Sequence, residues 1–263
     1  MNQNTISTDP IGSLHDLKLA LQSIKAGVIK IKPRLLFSKI EDGFKGPVDL
    51  RLHIPSSGIG SITLLEAAAL VSVLNLQNPK KVFEFGTFLG YSTALFLRNT
   101  SNDCQVYSID LGSDVSDYQQ ATKYSEKELR SDDKKNDDYL RLVQGTQGPM
   151  YLRGLDSSQQ SRLNLLYGDS TRFDIGAHGL KGAVDFVFVD GGHDTATIKS
   201  DTEKSVEMIG QDGVIFWHDY DSKIHSDVTD FVQEYASQGV VFHVENTMLA
   251  CRFYGKALET FLS

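Results

Sequence analysis

Val82-Phe83-Glu84-Phe85-Gly86-Thr87-Phe88-Leu89-Gly90-Tyr91-Ser92-Thr93 decides the fold of this chain. A short apolar run reads as a buried strand. It carries one carboxylate near its end, then two glycines four residues apart, then Ser92-Thr93 opening a helix. Glycines in such a turn let the backbone approach a ligand with no Cβ in the way. The helix N-terminus behind them offers free N–H groups and the positive end of a dipole to an anionic group. The spacing Glu-x-Gly-x-x-x-Gly is neither the Gly-x-Gly-x-x-Gly dinucleotide fingerprint nor a P-loop, which needs Gly-Lys-Ser/Thr. A strand-loop-helix cradle with an acid at its base suits a nucleoside-bearing ligand.

Outward from this stretch, apolar runs alternate with amphipathic helical segments, the pattern of a parallel sheet with helices on both faces. The runs are Lys81–Phe85, Gln105–Ile109, Leu163–Tyr167, Val184–Val189 and Val214–Trp217. Asp110, Asp190 and Asp219 follow three of them at or just past the strand end, and Asp169 follows Tyr167 after a glycine. Ligands of open α/β sheets bind outside the carboxyl ends of the strands, so these four acids converge on one crevice. A helix over Val228–Tyr235 precedes apolar runs at Val240–Val244 and Met248–Tyr254, with Asn246 between them as a hairpin turn. The expected fold is α/β: a Rossmann-like, doubly wound, mostly parallel seven-stranded sheet with an antiparallel C-terminal hairpin.

Upstream, Thr63-Leu64-Leu65-Glu66 is a capping-box pattern that opens an apolar helix running through Leu76. Residues 1–60 are less regular: Pro33, Pro47 and Pro55 with Gly43, Gly46, Gly58 and Gly60 suggest helical pieces joined by turns, a cover over the site. The expected division is therefore a 1–60 N-terminal helical cover segment and a 61–263 binding domain. A long connection at about 112–162, charged between Glu126 and Arg141, interrupts that domain. It is either a solvated surface helix or a lid or partner-contact element.

Of the 263 residues, 40% are apolar and 23% charged, the proportions of a globular domain. The net charge of −8 argues against nucleic acid as a partner. No apolar run has the ~20 residues of a membrane span, and Met1–Pro10 shows no signal peptide. Cys104 and Cys251 are too few for a disulfide framework and read as packing residues of a cytoplasmic protein. The expected partner is a small-molecule acceptor. A homo-oligomer stays open, with the apolar N-terminal helix or the last strands as its face.

Asp110 lies 26 residues after Glu84, where a carboxylate accepts both ribose hydroxyls of a nucleoside. Gly112 and Ser113 nearby also allow a helix cap. Asp169 and Ser170 suit either an adenine edge or the cap of the following turn. Asp190-Gly191-Gly192-His193-Asp194 places a histidine after a tight turn, where it can take a proton from a hydroxyl as general base. Asp190 and Asp219 end adjacent strands and suit one hard divalent cation. His218, preceding Asp219 on a strand, is expected to point to the opposite face.

With these residues in view, Glu84 to Thr93 resembles motif I of class I S-adenosylmethionine-dependent methyltransferases, closest to the small-molecule O-methyltransferase branch. Asp190-Gly191-Gly192-His193, with Asp201 further on, is similar to the Asp-Gly-x-His pattern of a bacterial family that includes cephalosporin-hydroxylase-like proteins. The resemblance covers roughly residues 60–255. It implies S-adenosylmethionine held by Glu84, Gly86, Thr87, Gly90, Tyr91, Ser92, Asp110, Asp169 and Ser170, with Ser92 on the methionine carboxylate. It implies Asp190, Asp219 and His193 as catalytic residues, His193 standing where the catechol-type branch carries its lysine base. Asp190 and Asp219 match that branch's metal-binding aspartates, for magnesium or another divalent cation, although Tyr220 stands where it has an asparagine ligand. The expected reaction is O-methylation of a small-molecule hydroxyl. The alternatives are a metal-dependent hydroxylase using Asp190, His193, His218 and Asp219, and a non-catalytic cofactor-binding partner subunit.

Overall fold

Valine, isoleucine and phenylalanine crowd the strand segments on both faces, which is the composition of a sheet buried between two helical layers. The computed structural model describes residues 9–37, 49–54, 60–112, 114 and 116–263. Among them eight strands form one sheet: β1 (Gly27–Ile31), β2 (Lys81–Phe85), β3 (Gln105–Asp110), β4 (Leu163–Tyr167), β5 (Phe186–Val189), β6 (Gly213–Trp217), β7 (Val240–Val244) and β8 (Ala250–Tyr254). Their spatial order is β1-β7-β8-β6-β5-β2-β3-β4, and only β8 runs antiparallel to its neighbours. This is the mostly parallel Rossmann-like sheet expected from the sequence.

The count rises from seven to eight because β1 comes from the N-terminal segment and pairs in parallel with β7, Gly27 against Val240 through Ile31 against Val244. Only Ile29 and Ile31 of β1 are buried. A five-residue edge strand with one apolar face is defined by its partner more than by its own pattern. Pro47, Pro55, Gly43, Gly46, Gly58 and Ser113 lie outside the described residues.

Among the described residues seven α-helices of eight residues or more accompany the strands: α1 (Leu14–Ser23), α2 (Leu64–Gln77), α3 (Tyr91–Asn99), α4 (Asp133–Gln147), α5 (Thr195–Ile209), α6 (Ser226–Tyr235) and α7 (Gly255–Leu262). Period-two alternation sorts the central strands onto two cores. Phe186 and Phe188 of β5 and Val214 and Phe216 of β6 pack with Leu70, Leu74 and Phe96 of α2 and α3. Val187, Ile215 and Trp217, with Phe83 and Phe85 of β2, pack with Ile198, Met208 and Val232 of α5 and α6. Every residue of β5 and β6 is buried, so their carboxyl ends are held firmly. Cys104 and Cys251 are buried and unpaired. Among the described residues no helix is long and apolar enough to cross a membrane.

Candidate functional site

A cavity of about 990 Å³ opens at the carboxyl ends of the parallel strands. Its floor comes from the turns after β2 to β6, including Gly86, Asp110, Asp169, Ser170, Asp190, His193 and Asp219. Its roof comes from the 112–162 connection. Asp137, Leu140, Arg141 and Gln144 of α4 recur at three- and four-residue spacing and line the cavity together. The segment Asp221–His225 closes one side. Part of the charged connection thus lines the cavity.

The glycine turn is shaped by contacts inside the protein. Gly86 has φ +91, and a Cβ there would overlap the carbonyl oxygen of Asp190, so the turns after β2 and β5 touch. Gly90 has φ +79, and its Cβ would lie 2.7 Å from Leu152. Glu84 is fully buried and accepts hydroxyl hydrogen bonds from Thr93 and, at 2.5 Å, from Ser108. Among the described residues its other oxygen has no hydrogen-bond partner. Burial pushes its carboxyl up to about 7 despite those hydroxyls and that of Ser92. Thr87 shares a 2.6 Å hydrogen bond with Ser108, and the Tyr91 hydroxyl donates to the carbonyl of His53. Glu84, Thr87, Gly90, Tyr91 and Ser92 thus stand behind the cavity wall, while Gly86, Asp110, Asp169 and Ser170 line it.

Asp110 ties the turns together. It accepts N–H hydrogen bonds of 2.7 Å from Phe88 and from Leu111, and Arg141 of the roof lies 3.5 Å away. Asp169 accepts from the Thr171 N–H and hydroxyl, which lower its carboxyl from the ordinary value. It caps the turn and faces the cavity at once.

Beyond β6 the alternation of side chains breaks. Strand hydrogen bonding ends with the His218 N–H on the Val189 carbonyl, and Asp219 takes φ +60. His218 and Asp219 consequently both face the cavity, which corrects the expectation that His218 would point away. His218 Nδ1 lies 3.1 Å from Asp190 and 3.2 Å from Asp219, and its Nε2 is 3.6 Å from Glu66. Glu66 closes the α2 capping box and accepts the Met248 N–H. Burial works against its ionisation, but His218 and these N–H groups hold its carboxyl down to about 2. Burial likewise opposes charge on Asp219, yet His218 and His193 keep it well below the ordinary range. Burial raises Asp190.

His193 is engaged at both ring nitrogens: Nδ1 is 2.7 Å from Asp137 on α4 and Nε2 is 3.2 Å from Asp219. Against the effect of burial, these two carboxylates push its pKa up to about 10. Both ring nitrogens thus lie against carboxylates, at the residue the sequence offers as a general base. Its ring stacks on His225 with centroids 3.7 Å apart, and His225 Nδ1 lies 2.7 Å from Asp133 on α4. Asp201 is buried on α5 behind Gly191, outside the cavity lining, and burial raises it to about 7.

Glu66, Asp133, Asp137, Arg141 and His225 escaped the sequence reading. Glu66 was visible as a capping residue only. Asp133 and Asp137 stand four apart on a helix, a spacing that puts both on one face, but their surroundings read as a charge run. Nothing local marks His225.

The family described as "Methyltransferase domain" matches residues 83–220, more than half of the chain. None of the curated proteins matches. Three similar solved structures are a Podospora anserina methyltransferase bound to SAH, an O-methyltransferase of Streptomyces achromogenes with SAM, and an O-methyltransferase of Bacillus cereus with SAH. The first is 12% identical, with TM-score 0.48, over 97% of this chain and 100% of that one. The second is 13% identical, with TM-score 0.44, over 92% and 96%. The third is 13% identical, with TM-score 0.43, over 84% and 89%.

Proposed function

Because the chain belongs to the family of methyltransferase domains, we propose that its strand-end cavity binds S-adenosylmethionine and passes the methyl group to a hydroxyl oxygen of a small molecule. The family sets aside the hydroxylase alternative. The observation that carries the reading is the position of Asp110. This acid ends β3, lines the cavity and fixes the turn after β2 through the Phe88 N–H. A carboxylate so placed accepts ribose hydroxyls beside a glycine turn. In this reading Gly86, Asp110, Asp169 and Ser170 surround the nucleoside. Glu84, Thr87, Gly90, Tyr91 and Ser92 hold the turn in shape from behind.

The acceptor's place is the end of the cavity bounded by Asp190, Asp219 and the roof. Asp190, His218 and Asp219 present donor atoms within 4.8 Å of one another. Two carboxylates with one imidazole fit a divalent transition cation better than magnesium, which prefers oxygen alone. Such an ion, when bound, polarises the acceptor oxygen. The protein supplies in-line alignment of that oxygen with the methyl group, which is worth as much as ~7–11 kcal/mol. His193 holds Asp219 in place through Nε2. The roof helix excludes water, and its Arg141 faces Asp110 from above.

Isothermal titration of the full chain with S-adenosylmethionine is expected to show micromolar binding, weakened about 10–100-fold in Asp110→Ala, the range for losing hydrogen bonds to a charged group. Asp190→Asn is expected to keep donor binding while losing methyl transfer to hydroxyl acceptors. No binding of the donor or its demethylated product removes the proposal. Binding without methyl transfer to any hydroxyl acceptor in a cell extract points to the non-catalytic partner subunit.

A further inference from the structure

Two acids of the roof meet two histidines of the floor at the rim of the cavity. Asp133 and Asp137 lie one helical turn apart on α4 and project from one face. His193 and His225 lie in the segments that follow β5 and β6, and their rings stack with an interplanar angle of 29°. The stacking turns both Nδ1 atoms toward α4, each 2.7 Å from one of its carboxylates. All four donor atoms fall within 4.8 Å of one another. This donor set is distinct from that of Asp190, His218 and Asp219, which it meets where His193 Nε2 lies 3.2 Å from Asp219.

We propose that Asp133, Asp137, His193 and His225 form a binding site for a transition-metal dication of the zinc type, which fastens the inserted helix to the mouth of the cavity. Two imidazole nitrogens and two carboxylate oxygens are a four-donor set that suits tetrahedral zinc, at about 2.0–2.2 Å per bond. Donors at that distance sit about 3.3 Å apart in a tetrahedron, so the side chains present need only small rotations to close on an ion. Calcium and magnesium are disfavoured by the nitrogen donors. A metal-bound histidine ordinarily gives its other nitrogen to a carboxylate, which fixes the ring. His193 has that arrangement, with Nε2 facing Asp219. An entry path exists as well. The histidine side chains are 12% and 5% exposed, while the aspartates are 44% and 43% exposed, so solvent reaches the site from the helix side.

An ion here closes a loop between α4 and strands far away in sequence, and its effect is to hold the roof down. Through His193 the site adjoins the acceptor end, so its test reads metal binding itself rather than methyl transfer.

The test is cobalt(II) and zinc(II) binding to the full chain, dialysed against chelator first. The proposal expects one cobalt equivalent with the visible band of tetrahedral coordination, present in the wild type and in Asp190→Asn. The same equivalent is expected to be lost, or weakened at least about tenfold, in His225→Ala and in Asp133→Asn. A band that survives His225→Ala and Asp133→Asn but disappears in Asp190→Asn places the ion with Asp190, His218 and Asp219 and overturns the proposal. So does a wild type that binds neither metal. Should a variant fail to fold, zinc titration of the wild type followed by imidazole NMR decides: one equivalent is expected to shift His193 and His225 ahead of His218, and the reverse order refutes the site. S-adenosylmethionine binding measured on the same samples separates failure of this site from failure of the proposed reaction.

Discussion

The floor and the roof of the cavity are held by different forces. The floor rests on β5 and β6, in which every residue is buried, and on turns locked by backbone hydrogen bonds such as Gly86 N–H to Ile109 and Asp190 N–H to Phe85. In α4 only Asn136 and Leu142 are buried, Val143 packs on the core, and the links to the strand-end turns include ionisable pairs: Asp137 with His193, Asp133 with His225, Arg141 with Asp110. Apolar burial is indifferent to pH and ligand. Pairs of ionisable groups respond to both. The floor therefore rests on burial, while the attachment of the roof depends in part on the charge of its paired groups.

Gly86→Ala is the strongest way to break the floor. A side chain there meets the Asp190 carbonyl at a backbone angle that L-residues avoid, and the expected cost is about 3 kcal/mol or more, measured by urea unfolding. A variant as stable as the wild type would mean that the turns after β2 and β5 adapt freely, and the contrast with the roof would be lost.

A smaller effect concerns pH. Burial raises Glu84 to about 7 from the ordinary 4.5, so between those values the native state binds more protons than the unfolded chain. Stability from this group is therefore full below about pH 4.5 and declines as pH rises through 7. Glu84→Gln is expected to flatten that decline in a pH series of urea melts. Equal slopes in both proteins would remove Glu84 as its source.

The smallest expected effect belongs to the roof. Lys134 pairs with Asp138 on the outer side of α4, with the lysine side chain 85% exposed. Lys134→Ala is expected to change stability by less than about 0.5 kcal/mol. A loss well above that, read in thermal melts, would show that surface charge as well as the inward-facing pairs holds α4 down.

Much of the floor was legible before any coordinates. Asp110, Asp190 and Asp219 stand at the ends of apolar runs, and in a parallel sheet every strand end points to one edge, so local pattern is enough to bring them together. The Glu84–Thr93 stretch was legible as a strand, turn and helix. The reason for its glycines was not, because their neighbours, Asp190 and Leu152, are remote in the chain. His218 was misplaced for a local reason: Asp219 adopts a left-handed backbone that ends the alternation, and aspartate carries no clear signal of that.

The sequence by itself determined a mostly parallel sheet with helices on both faces and the edge where its strand-end carboxylates gather, because periodicity and strand-end position are short-range properties. Only the tertiary structure decided that Glu66 backs His218, that β1 joins the sheet, and that Asp133 and Asp137 meet His225 and His193. Those contacts join residues 56 to 213 positions apart. Their partners are chosen by how α4, α2 and the strand-end turns pack, which no local pattern of residues encodes.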